Sequence, residues 1–308
     1  MKKRKMEKAL KKLNETQVSE KSTFEGPFSE DPKQMPPTED LDKVKEFVKE
    51  GLVKNHSSNV PKKYKKKHEE IVECKFGIQL DHFIIPTKTW IYDLFTNERW
   101  LSDMHIAVAF YYLGVKRKQY QIKQKYATTD PLFVGVMKLK CEMVTNDKTT
   151  MTEAASNGNI MNTMLGSNGL PWAEADFVYM PLNIGMHWIL LVLDINGKCI
   201  RVYDSLKRRG DSLATIRAFL PCLETFLPRV MERLGVYDKR PNAQIGKGKI
   251  RVDIVRNCPQ QDDGGNCGVF IIKFAEFLMM DKDVSEVSKQ DIEMYRQKMT
   301  TELLMYAS

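Results

Sequence analysis

Three residues far apart in the chain have the types found in a thiol hydrolase: Cys267, His187 and Asp204. Cys267 ends a polar, glycine-rich run, 258-CPQQDDGGNC-267, and is followed by an almost unbroken apolar one, 268-GVFIIKFAEFLMM-280. The second run is longer than a typical strand and apolar nearly all round, which predicts a buried helix that begins near Gly268. A thiol at that helix start sits at the positive end of the helix dipole, where a thiolate is favoured. Taken alone, the stretch fits a buried cysteine that acts as a small hydrophobe equally well. The decision rests on whether a base is brought to it.

A hairpin brings one. Segments 176-DFVYMPLNI-184, 187-HWILLVLDI-195 and 198-KCIRVYDS-205 are rich in β-branched and aromatic residues and read as strands. Asn196-Gly197 between the last two predicts a two-residue type I′ turn. That turn sets Ile195 opposite Lys198, Asp194 opposite Cys199 and Ile189 opposite Asp204. Alternation along a strand then puts His187, Ile189 and Asp204 on one face, with His187 and Asp204 as diagonal neighbours. A lone strand histidine is more often structural, and an aspartate at a strand end commonly starts a turn. Together with the cysteine, however, the set supplies nucleophile, base and the group that orients the base.

The elements that position these residues lie in a periodic region running from about residue 80 to the C-terminus, which reads as one α/β domain of 80–308. Segment 99-RWLSDMHIAVAFYYLGV-115 predicts a helix with Ser102 or Asp103 as N-cap and an apolar face through Ile106, Ala109, Phe110 and Leu113. Residues 120–144 are mixed in character, and the polar stretch 145–159 reads as an exposed loop with a short helix after it. Residues 211–235 and 288–307 read as amphipathic helices, the first interrupted at Pro221 and Pro228.

Residues 1–79 form a basic N-terminal region too polar to offset chain entropy by burial and read as mostly disordered. A short helix is expected at 40–54, where Leu41, Val44, Phe47, Val48 and Leu52 recur at helical spacing and Asp40 could cap. Of the net charge of +8, five units fall in the first 80 residues, concentrated in 2-KKRK-5, 8-KALKK-12 and 62-KKYKKKH-68. Such runs are of the kind read by import receptors or by nucleic acid, and an ordinary solvated tail is the bland alternative. The six cysteines are scattered, with no CxxC pair and no Cys/His cluster at zinc spacing, so neither metal nor cofactor is expected. Reduced thiols, no signal-peptide pattern and no long apolar span predict a soluble protein of the nucleus or cytoplasm, with no membrane partner.

The order His, Asp, Gln, Cys, with 187-HW-188, 203-YDS-205 and 259-PQQDDGGNCGVF-270, resembles the catalytic domain of the Ulp/SENP cysteine proteases, which cut after the Gly-Gly tail of SUMO or a related ubiquitin-like protein. The flavour is that of the divergent plant-like members. The resemblance implies an α/β (α+β) papain-like cysteine protease fold. In that fold a central buried helix carrying the cysteine packs on a mainly antiparallel sheet carrying His and Asp. It implies Cys267 as nucleophile, His187 as base and then acid, Asp204 as orienter, and Gln261 as oxyanion donor beside the Cys267 backbone amide, with Gln260 the runner-up. It implies that Trp188 covers a channel for the Gly-Gly tail. The motif 100-WLSD-103 resembles the family's Trp-Leu-Asn-Asp, which makes Trp100 the other wall and Asp103 a contact to a basic residue of the partner. The sequence departs from the pattern at Asn266, where the family has Asp, at Ser102, where it has Asn, and in a longer segment between Trp100 and His187. The implied activity is isopeptide deconjugation or precursor processing. The alternative is a catalytically weak module of the same fold that binds a ubiquitin-like tail.

Overall fold

A computed structural model describes residues 26–49, 77–167, 169–206, 216–246 and 248–307. In chain order these form α1 (Thr38–Lys49), β1 (Ile78–Leu80), β2 (Phe83–Ile85), α2 (Lys88–Phe95), α3 (Asp103–Gln119), β3 (Tyr126–Thr128), α4 (Phe133–Thr145), α5 (Met151–Ala155), α6 (Gly158–Met164), β4 (Phe177–Asn183), β5 (Trp188–Asp194), β6 (Cys199–Tyr203), α7 (Leu227–Arg233), β7 (Arg251–Ile254), α8 (Cys267–Met279) and α9 (Ile292–Tyr306). Two compact units divide the chain, one of residues 1–99 with 290–308 and one of residues 100–289.

In the first unit, buried polar side chains of α9 find backbone partners. Arg296, fully buried, donates through Nη1 to the carbonyls of Asp93 and Leu94 at 2.8 and 3.1 Å, and through Nη2 to that of Arg99. It thereby satisfies carbonyls at the end of α2 that have no helical donor. Glu302 accepts from the backbone N–H of Phe28 at 3.0 Å and from Ser29 Oγ at 2.6 Å, and it pairs with the buried Lys298. Residues 26–49 are thus ordered, with Phe28, Val44, Phe47 and Val48 buried. This corrects the reading of 1–79 as mostly disordered over that stretch, because a few apolar side chains plus captured backbone N–H groups suffice to hold it. The expected helix begins at Thr38, ahead of Asp40, while Leu52 and the basic runs lie outside the described residues.

The second unit is built on a sheet of order β3-β4-β5-β6-β7. Its centre is antiparallel and both edge pairings, β3 with β4 and β6 with β7, are parallel. One face packs against α8, whose residues are all buried except Leu278. On the other face Val178, Met180, Leu182, Ile189, Leu191, Leu193, Ile200 and Val202 join a continuous core with the helices of 133–164 and 216–233. A sheet covered on both faces explains why β5 reads as a continuous apolar run.

Within this unit 145–159 is not a loop. It contains α5 and the start of α6, because Thr150 and Glu153 form a reciprocal cap: Thr150 Oγ1 accepts from Glu153 N at 3.2 Å and Glu153 Oε2 accepts from Thr150 N at 2.9 Å. In the 211–235 region residues 211–215 lie outside the described residues, and the helix after them is broken where expected. Pro228 has no N–H for the Glu224 carbonyl, which accepts instead from Ile250 N at 2.9 Å, and Cys222–Phe226 is wound as a π-turn.

Candidate active site

Two turns place the histidine and the aspartate. The predicted register of β5 on β6 is present, with Asp194 opposite Cys199 and Leu190 opposite Tyr203. The predicted type I′ turn at Asn196-Gly197 is not. Neither residue has positive φ, and the loop runs over four residues, 195–198, closing with Lys198 at φ 52°. Gly197 is needed there for space: a Cβ would lie 2.6 Å from the Asp194 carboxylate, which accepts the Gly197 N–H at 2.7 Å. The I′-like turn instead joins β4 to β5. Gly185 and Met186 both have positive φ, 58° and 65°, and Ile184 and His187 exchange backbone hydrogen bonds of 2.8 and 3.2 Å.

His187 therefore sits just before β5 and Asp204 just after β6. His187 Nε2 and Asp204 Oδ1 are 2.7 Å apart, and both side chains are buried. Oδ1 also accepts the Leu206 N–H at 2.9 Å, which fixes the carboxylate. With Nε2 committed to Asp204, the other ring nitrogen, Nδ1, is left for the Cys267 thiol, with which the imidazole hydrogen-bonds. Burial pulls the imidazole toward its neutral form. The hydrogen bonds to Asp204 and Cys267, with the charge of Asp204 behind them, outweigh burial and hold it up to about 9.

Cys267 is the first residue of α8, with Asn266 as the cap. The preceding loop is pinned by Asp263, whose Oδ1 accepts from Gly265 N at 2.7 Å and Asn266 N at 2.8 Å and whose Oδ2 accepts from Asn266 Nδ2 at 2.9 Å. Asn266 donates to this carboxylate, a contact an aspartate there could make only if protonated. The first helical bond runs from Phe270 N to Asn266 O at 3.1 Å, so the N–H groups of Cys267, Gly268 and Val269 open the helix without helical acceptors. A Cβ on Gly268 would lie 2.9 Å from Leu101 Cβ, so glycine allows the segment after Trp100 to approach the helix start.

The two glutamines are held differently. Gln260 Nε2 donates to the carbonyls of Asp204 and Cys258 at 2.8 and 2.9 Å. Gln261 is buried; its Oε1 accepts from Ser205 Oγ at 2.8 Å, its Nε2 donates to Asp263 O at 2.7 Å and its N–H donates to Ser205 O at 2.7 Å. Ser205, Asp263 and Leu101 escaped the sequence reading. Of these, Asp263 was legible as the start of an Asp-x-Gly turn.

Trp188 is fully buried, and its indole N–H donates to Leu101 O at 2.8 Å. Trp100 is half-buried, and its N–H donates to Met186 O at 3.0 Å. The two ring systems face each other with centroids 6.1 Å apart and planes 23° from parallel. Asp103, the exposed first residue of α3, is capped by Ser102, whose N–H donates to His105 Nδ1 at 3.0 Å.

Beneath the site lies a group that the apolar reading of 268–280 overlooked. Glu276 and Lys273 of α8 and Lys116 of α3 are fully buried, with both ammonium groups 2.7 Å from the carboxylate. Burial pushes the Glu276 carboxyl up, but the two lysine charges outweigh it and hold it at about 2.

The C-terminal catalytic domain of the Ulp1 protease family matches residues 99–306. The chain belongs to this family, whose members are cysteine peptidases. Among relatives, human Sentrin-specific protease 2 is 23% identical over 138 residues, 45% of this chain and 22% of that protein. The Caenorhabditis elegans Sentrin-specific protease is 31% identical over 129 residues, 42% and 17% of the two chains, and Arabidopsis thaliana Ubiquitin-like-specific protease ESD4 is 22% identical over 191 residues, 59% and 33%. The chain thus spans about a fifth of the length of the first curated relatives it matches. The fold is that of the Ulp1 protease domain solved with Smt3, the yeast ortholog of SUMO, at TM-score 0.54 and 18% identity over 89% of this chain and 98% of that one. It is also that of the Ulp1-like SUMO protease catalytic domain of Chaetomium thermophilum, at TM-score 0.52 and 16% identity over 80% and 89%.

Proposed function

We propose that the protein is a thiol protease that cleaves after the Gly-Gly C-terminus of SUMO or a related ubiquitin-like modifier, releasing it from lysine conjugates, from precursor extensions, or both. The observation that carries the reading is His187, held between Asp204 at 2.7 Å and the thiol of Cys267 at the first turn of a buried helix.

In this mechanism His187 takes the Cys267 proton, and the sulfur attacks the carbonyl carbon of the terminal glycine. His187 returns the proton to the departing amine, leaving a thioester. His187 then deprotonates a water that hydrolyses the thioester. Asp204 keeps Nδ1 aimed at sulfur in both half-reactions. The Cys267 N–H, which has no helical acceptor, and the Gln261 Nε2 hydrogen not given to Asp263 are the oxyanion donors. Gln260 is the weaker candidate, since its amide nitrogen already serves carbonyls of the loop and of Asp204.

Trp100 and Trp188 form the walls of the tail channel. A backbone lying between two ring faces needs about 7 Å, two contact distances of ~3.5 Å, against the 6.1 Å between centroids. Trp100, the wall that is only half-buried, gives way, and residues bearing a Cβ are excluded. Asp103 offers its exposed carboxylate to a basic residue of the modifier, and the basic N-terminal runs are available to an import receptor or nucleic acid.

The test is labelling of the full chain, and of Cys267→Ala, with a panel of ubiquitin-like modifiers carrying thiol-reactive C-termini, read by intact mass. One adduct on the wild type and none on the variant is the expected result. A folded wild type that captures no member of the panel overturns the reading.

A further inference from the structure

Ser205 directly follows Asp204 in the chain and is fully buried, and the mechanism gives its hydroxyl no role. A buried hydroxyl needs a partner, and this one reaches across 56 residues to Gln261. Ser205 Oγ lies 2.8 Å from Gln261 Oε1, Gln261 Nε2 lies 2.7 Å from the Asp263 carbonyl oxygen, and the Gln261 N–H donates to the Ser205 carbonyl at 2.7 Å. These contacts decide which way the carboxamide points. The Asp263 carbonyl can only accept, so the amide end that faces it is the NH2 group. The other end is then the oxygen, which also can only accept, so the Ser205 hydroxyl is the donor. A flipped carboxamide would set oxygen against the Asp263 carbonyl and lose both bonds. The Nε2 hydrogen not given to Asp263 therefore has a fixed direction. A hydrogen bond accepted at Oε1 also polarises the amide, which strengthens that N–H as a donor. Asp263 in turn holds Gly265 N and Asn266 N with its carboxylate, so the contacts run from the Asp204-Ser205 turn to the cap of the helix that carries Cys267.

We propose that Ser205 is a positioning residue for the oxyanion site, its hydroxyl holding the Gln261 carboxamide so that the second Nε2 hydrogen meets the negative charge that develops on the substrate carbonyl. This role rests on the thiol-protease reading, in which Gln261 donates to the oxyanion. Adjacent residues of one turn then serve two parts of the site: Asp204 aims the base and Ser205 aims the amide. Ser205→Ala leaves Gln261 Oε1 buried without this donor and lets the carboxamide rotate. The loss falls on the transition state, because the oxyanion does not exist while substrate is merely bound.

The test is a double-mutant cycle on the full chain, with a Gly-Gly-linked modifier fusion as substrate and kcat, KM and the pH dependence of amine release as readouts. Gln261→Ala should lower kcat about 10²–10³-fold, the loss for one oxyanion donor, and Ser205→Ala about 10-fold with KM unchanged. Ser205→Ala added to Gln261→Ala should cost less than about 2-fold more, because the group it positions is gone. Ser205→Cys, which keeps a weak donor of similar size, should fall between Ser205→Ala and the wild type. The alkaline limb of Ser205→Ala should stay at about 9, because Asp204 still holds His187. Equal Ser205→Ala losses in the two backgrounds, a raised KM at unchanged kcat, or a folded Ser205→Ala protein as active as the wild type overturns the proposal. So does an alkaline limb that moves down, which would make Ser205 a support of Asp204 instead. A folded wild type that cleaves no modifier fusion fails before any variant is compared, and it overturns the thiol-protease reading together with this role.

Discussion

Replacing Asp204 with asparagine keeps the shape of the side chain and removes the charge that faces His187 at 2.7 Å. In the folded protein the imidazole is raised from 6.5 to about 9, against the pull of burial. At about 1.4 kcal/mol per pKa unit, that difference is worth about 3 kcal/mol of stability. The sign follows from linkage. A raised histidine stabilises fully below its unfolded value of 6.5, and the contribution fades as pH rises through about 9. Losing an opposite charge at this distance lowers such a pKa by about 1–3 units, so about 1.4–4 kcal/mol should be lost at pH 6. At pH 9.5 only the neutral hydrogen bond remains to lose, about 1 kcal/mol. Urea denaturation at the two pH values reads this gap directly. The rate of amine release from a Gly-Gly-linked modifier fusion, in which His187 must protonate the leaving amine, followed from pH 5 to 10, should show the alkaline limb falling from about 9 in the wild type by the same 1–3 units in the variant. Activity at neutral pH should drop about 10²-fold or more. An unmoved alkaline limb, or equal stability losses at pH 6 and pH 9.5, would refute the assignment of Asp204 as the group that holds the imidazolium.

Two further substitutions probe the support of the site. Glu276→Gln leaves the ammonium groups of Lys116 and Lys273 buried around a neutral amide and should cost about 3–5 kcal/mol in urea denaturation. The triple change Glu276→Leu, Lys116→Met, Lys273→Met should recover most of that loss, whereas a single-variant loss under about 1 kcal/mol, the size of a surface pair, would contradict the buried triad. Gly268→Ala drives a methyl to 2.9 Å from Leu101 Cβ and should cost about 1–3 kcal/mol by overpacking. It should also slow adduct formation, because the helix start that carries Cys267 must shift. Adding Leu101→Ala should return part of the rate, and a Gly268→Ala protein as fast and stable as the wild type would rule out the close approach.

Much of the sheet was legible because β4, β5 and β6 are rich in residues that fit a buried pleated surface, and because a short connection holds the β5/β6 register even though its turn type differs from the expected one. The edge strands β3 and β7 were missed: at three and four residues they have no periodicity to read, and they exist by pairing in parallel with strands distant in sequence. The helix at 151–155 was hidden by polar residues that turn out to be caps, whereas the short helix expected after residue 159 is α6, which starts slightly earlier at Gly158. The ordered 26–49 stretch is tied down at Phe28 and Ser29 by Glu302, more than 270 residues further along the chain, which no local pattern reveals.

For the site, the sequence by itself determined the residue types and order of His187, Asp204 and Cys267 and the position of the cysteine at a helix start, since these follow from local composition and from counting across a hairpin, while Gln261 entered only through the family resemblance. The tertiary structure decided the rest. It turned Gln261 onto Ser205 and Asp263, brought Leu101 between Trp188 and Gly268, set the two indoles face to face, and buried Glu276 between two lysines. Each of those contacts joins elements separated in the chain, and a buried polar group takes whatever partner the packing brings within about 3 Å, because leaving it unpaired costs more than any local preference.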